Sequence, residues 1–141
     1  MVKVYFCRMR ILIRSTEKWA WRLERELARA TNAGALLSKF PRGQRNTSVV
    51  EDSAIRISEF KAAYQESFNE LHAMQEVLEE LLKELDDPDE RGILRLRYID
   101  CYKPEDIAEA ICRSDRSVYY IIARAERRLI QMFPDICSDF Q

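Results

Sequence analysis

The chain is 141 residues long, 33% charged and 47% hydrophobic, with only three glycines and four prolines. That length fits one domain, or one small domain with a helical extension, and that composition favours helix nearly throughout. A net charge of −1 does not exclude a nucleic-acid partner, because the charge is segregated: residues 1–50 hold eleven Lys/Arg against three Asp/Glu, residues 51–87 three against eleven, and residues 88–134 nine against eight.

The opening segment, MVKVYFCRMRILIR, suits a strand or a buried helix. Lys3, Arg8 and Arg10 argue against a signal peptide or a membrane span. The basic run TEKWAWRLERELARA offers Trp19, Leu23, Leu27 and Ala30 as an apolar face. Asn32 to Asp52, with Gly34, Pro41 and Gly43, reads as a loop. Beyond it, Ile57, Phe60, Tyr64, Ser67, Leu71, Met74, Leu78, Leu81 and Leu85 alternate three and four residues apart. That is a heptad seam, interrupted in polarity only at Ser67, and a seam of this length requires a partner helix. An antiparallel, coiled-coil-like hairpin with the Trp19 helix is expected, and a homodimer through the same seam is the alternative. The charge split serves either arrangement, and its expected use is pairing within the molecule, basic N-terminal helix against acidic central helix. A basic N-terminal arm free to bind DNA is the sharper alternative use of it.

Asp87, Pro88 and Glu90 have the spacing of a helix start, with Asp87 as cap and Pro88 as the first helical residue. Pro104 opens the next helix, with Glu105 and Asp106 in the first turn, where the macrodipole favours acids. Ile107, Ala108 and Ile111 form its apolar face. After Cys112-Arg113-Ser114, with Ser114 as N-cap, a second helical run carries Val118, Ile121, Ile122, Ala125 and Leu129 as its apolar stripe. At about 100° per residue, Arg116, Tyr120, Arg124 and Arg127 fall opposite that stripe, with Arg113 just ahead. Short-turn helix pairs place their second helix in the major groove, and guanidinium groups clamp phosphates and read base edges.

Residues 86 to 130 resemble region four of bacterial primary sigma factors, the domain that reads the −35 promoter element. ILRLRY (93–98) looks like the supporting helix, PEDIAEAI the first motif helix and RSVYYIIARAERRL the recognition helix. LDDPDERGILRLRYIDCYKPEDIAEAI is similar to phage and prophage late-gene regulators of the ArpU and RinA kind. Cys101 and Cys112 stand where that pattern commonly has glycine, and Arg113 replaces a usually apolar turn residue. A side chain in a left-handed turn position costs about 1 kcal/mol or more.

The expected fold is therefore all-α: a helical hairpin region over residues 1–86, a helix-turn-helix domain over 87–134, and a short tail over 135–141. The expected DNA face is Arg113, Ser114, Asp115, Arg116, Ser117, Tyr119, Tyr120, Arg124, Arg127 and Arg128. The expected role is that of a phage or prophage transcription regulator binding double-stranded DNA, with RNA polymerase as a further partner, in the bacterial cytoplasm and nucleoid-associated when bound. A small terminase-like packaging protein is the alternative, as is a protein-binding module acting on RNA polymerase or a host defence factor. Catalysis, a metal and a cofactor are not expected. His72 is the only histidine, and Cys7, Cys101, Cys112 and Cys137 show no Cys-x-x-Cys spacing. No Gly-rich phosphate loop is present.

Overall fold

The computed structural model describes residues 4–37 and 47–138, and every regular element among them is helical. In chain order these are α1 (Val4–Leu37), α2 (Thr47–Leu82), α3 (Pro88–Leu94), α4 (Pro104–Ile111), α5 (Asp115–Met132) and α6 (Pro134–Ser138), with a π-helical turn over Arg95–Ile99 continuing α3. The fold is all-α. The expected loop is narrower than its composition suggested, since α1 runs through Gly34 to Leu37 and α2 begins at Thr47. A mid-helix glycine costs only about 1 kcal/mol, which the surrounding helix formers offset. The rest of that loop, with Pro41 and Gly43, lies outside the described residues, as do residues 139–141 of the expected tail.

The chain divides into two compact units, one of residues 1–13 with 70–141, the other of residues 14–69. The division falls inside α1 and α2, whereas the expected boundary lay after residue 86. In the first unit the opening segment, from Val4 on, is a helix with one buried face. Tyr5, Phe6, Met9, Leu12 and Ile13 recur at helical spacing, and all are buried. The Tyr5 hydroxyl donates to the Met74 carbonyl at 2.8 Å, and the Phe6 and Tyr98 rings lie 5.1 Å apart. Leu71, Met74, Leu78, Leu81 and Leu85 of the predicted seam share this core with Ile93, Leu94, Ile107, Val118, Ala125 and Leu129.

In the second unit, Thr16 pairs with Ser67 at 2.8 Å, the Trp19 and Phe60 rings lie 5.8 Å apart, and Arg56 donates to Glu26 at 3.0 Å. The contacts climb α1 as they descend α2, so the two stretches pack antiparallel. Ser67 is buried, and its hydroxyl bond to Thr16 explains the polar break in the seam. Leu27, expected on the inner face of α1, is 47% exposed. Glu26 is buried in its place, neutralised by Arg29 and Arg56.

Candidate nucleic-acid interface

The chain enters α4 and α5 through positions that each have a local cause. Asp87 caps α3 by accepting from the Asp89 N–H at 2.9 Å, and Pro88 follows as the first helical residue. Cys101 has φ 61° and Cys112 has φ 56°, both left-handed, so the chain turns at two cysteines where glycine would be unstrained. The Arg113 N–H donates to the Ala108 carbonyl at 3.0 Å, closing the end of α4. Ser114 caps α5 by accepting from the Ser117 N–H at 3.2 Å. Val118, Ile121, Ile122, Ala125 and Leu129 are buried, so the stripe read from periodicity is the inner face of α5.

The expected DNA-facing residues fall into two groups. Arg113, Ser114, Asp115, Arg116, Tyr119, Tyr120 and Arg127 are exposed, and Ser117 is half-buried. Arg116 and Arg127 make no ion pair among the described residues. Arg113 pairs with Asp89 at 3.2 Å, both side chains largely in solvent. The Tyr119 hydroxyl donates to Glu105 at 2.6 Å, a bond that raises the phenol's pKa and lowers the carboxyl's.

Arg124 and Arg128 form the second group, and they are not free. Glu90 is fully buried, and its two oxygens accept from Arg124 Nε at 2.7 Å and from Arg128 at 3.2 Å. Arg124 also lies 3.5 Å from Asp87 and 5.7 Å from the Tyr120 ring centroid. The hydrogen bond to Glu90 raises the Arg124 pKa. The spacing from Asp87 suggested only a capping role for Glu90. Its carboxylate instead ties α3 to α5.

A second polar cluster escapes sequence reasoning altogether. Tyr98 is fully buried, its hydroxyl donates to Glu126, and it accepts from Arg10 at 2.7 Å. Arg10 and Glu126 are 3.3 Å apart. Burial first, and then the Glu126 charge, push the Tyr98 pKa far above its ordinary value. The cluster fastens the first turns of α1 to α5.

Among the described residues no group of three or more His, Cys, Asp or Glu side chains is arranged to hold a metal, and no helix is long and apolar enough to cross a membrane. His72 is exposed beside Glu76 at 3.5 Å. Cys7 and Cys112 are free thiols.

A family model described as "Protein of unknown function (DUF1492)" matches residues 45–130, from the start of α2 to the last turn of α5. The chain belongs to that family. No curated protein and no solved structure matches it.

Proposed function

We propose that this member of the DUF1492 family binds double-stranded DNA through the first turns of α5 and acts as a transcription regulator, as the resemblance to sigma region four implies. The observation that carries the reading is the outer face of α5. Arg116, Tyr119 and Tyr120 stand exposed, with Arg113 one turn ahead, on a helix held by an apolar stripe beneath and by Glu90 at its flank. Such a helix presents its side chains in a fixed geometry, which base readout requires. Arginine can bond bidentately to the O6 and N7 of guanine, and tyrosine and serine hydroxyls can bond to phosphates.

Selection of binding sites from a random duplex pool tests the proposal, followed by titration of the selected and a random duplex across a range of salt. Arg116→Ala should cost about 1–3 kcal/mol on the selected duplex and little on random DNA. Arg127→Ala should weaken both alike and flatten the salt slope by about one unit. A pool that shows no enrichment, together with variants indistinguishable from the wild type, would refute the reading.

A further inference from the structure

The second unit carries a surface that α5 does not account for. Arg14, Lys18, Arg22, Arg25 and Arg29 follow one another along α1 at intervals of four, four, three and four residues, and all five are exposed. At about 100° per residue they fall within an arc of roughly 80°. At about 1.5 Å per residue the stripe is about 22 Å long. Glu17 and Glu24 lie outside the arc, and Glu26 is buried on the inner face.

The basic N-terminal stretch was expected to spend its charge against the acidic helix, yet Arg14, Lys18, Arg22 and Arg25 make no ion pair among the described residues. Arg29 alone of the five reaches a carboxylate, that of Glu26 at 3.7 Å, which Arg56 already neutralises at 3.0 Å. Aromatic rings steady several of these cations. Lys18 and Arg22 lie 4.9 and 5.0 Å from the Trp19 centroid, and Arg25 lies 5.1 Å from that of Trp21, which is 58% exposed. Trp21, Arg22, Arg25 and Arg56 also line a groove of about 310 Å³.

We infer that this stripe is a second contact surface for nucleic acid, one that engages the phosphate backbone of duplex DNA without reading its sequence. The inference takes the polyanion from the reading of α5 above. A DNA strand advances about 3.4 Å per phosphate, so about 22 Å of stripe runs beside roughly six phosphates. Arginine forks match phosphate oxygens, and cations already stacked on indole rings lose less freedom on binding. A membrane surface fits less well, because Glu17 and Glu24 interrupt the apolar flank that an interfacial helix would need.

The test uses the full chain, a selected duplex and a random 20-base-pair duplex, with titrations across salt. The triple variant Lys18→Ala, Arg22→Ala, Arg25→Ala removes exposed side chains at helix-interior positions where alanine is the better helix former, so the fold should persist and an unchanged melt verifies that. It should flatten the salt slope by about two to three units and weaken both duplexes equally. Arg22→Lys with Arg25→Lys should keep the slope. Arg116→Ala separates the two readings. If the triple variant keeps wild-type slope and affinity while Arg116→Ala loses preference, the stripe inference falls and the α5 reading stands. If only the triple variant loses binding, the stripe stands and the α5 reading falls. An altered sedimentation mass with an unchanged slope would assign the surface to a second copy of the chain and overturn the inference. So would a wild-type chain that binds no duplex.

Discussion

Replacing Cys112 by glycine should stabilise the protein. Cys112 sits at φ 56° and ψ 44°, the left-handed region, which costs a side chain about 1–2 kcal/mol relative to glycine. Glycine has more freedom to lose on folding, which returns about 0.4–1 kcal/mol of that gain. The thiol offers little to forfeit, because Cys112 is exposed and its sulfur lies 4.0 Å from the Glu109 carbonyl. The expected net is about 0.5–1 kcal/mol of stabilisation. Cys101 is the internal control. It shares the strain at φ 61°, but it is half-buried and its sulfur lies 3.6 Å from Gln75 Nε2 and 3.8 Å from the Tyr98 carbonyl. Lost contacts there should cancel most of the relief. Urea unfolding under reducing conditions would measure both variants, with the midpoint shifting and the m-value unchanged. Cys112→Ala, which keeps the Cβ and hence the strain, should lie near the wild type. A Cys112→Gly variant less stable than the wild type at unchanged m would refute the argument and mean that the thiol contributes to packing.

Glu90→Gln keeps the shape of the α3–α5 brace but removes its charge. A loss of about 1–2 kcal/mol is expected, reduced because Arg124 and Arg128 are partly solvated, and thermal melts would check it. The raised pKa of buried Tyr98 means that its proton is held more tightly in the folded than in the unfolded chain. Its contribution to stability should therefore be complete below about pH 10 and be lost as pH rises beyond that. Alkaline absorbance titration of the wild type and of Tyr98→Phe should differ by one phenol that resists ionisation until unfolding. Replacing Leu71 and Leu78 together by Asp removes about 2–3 kcal/mol of apolar burial at each site and places two carboxylates in the core. Far-UV circular dichroism should show loss of helix, and an unchanged melt would mean that the seam packs against nothing.

What could be read from the sequence was what local periodicity determines. Leu71, Met74, Leu78, Leu81 and Leu85 repeat with a helical period and are buried, and the inner stripe of α5 follows the same rule. The helix starts at Pro88 and Asp115 were legible from their capping residues, Asp87 and Ser114. The opening segment was undecidable because a continuous apolar run satisfies both strand and helix spacing. On α1 the stepping was misjudged at one place. After Leu23 either three or four residues lead to the next inner position, and Glu26 takes it over Leu27 only because Arg56, thirty residues away, neutralises the carboxylate. Glu90 and Glu126 were missed for the same reason. A charge in an amphipathic pattern reads as solvent-facing, and only a distant arginine or a buried phenol makes its burial tolerable.

The Glu90 brace also narrows which part of α5 can meet a polyanion. The Arg113–Asp89 pair is exposed, and such pairs contribute only about 0–1 kcal/mol, so a phosphate could displace Asp89 at little cost. Arg124 is in the opposite position. Drawing it toward a phosphate would weaken the compensation of a carboxylate with no exposure of its own, leaving Arg128 as the other partner. Sequence spacing alone put Arg116, Arg124 and Arg127 on one face, with Arg113 just ahead, and the carboxylate beneath sets Arg124 apart from the others. In the proposed DNA-bound state, Arg113, Arg116 and Arg127 make the contacts, while Arg124 and Arg128 act through Glu90 to hold the helix that presents them. Alanine at Arg124 should then lower the melting temperature of the free protein, which alanine at Arg116 should not. Equal melting temperatures for the two variants would return Arg124 to the binding face.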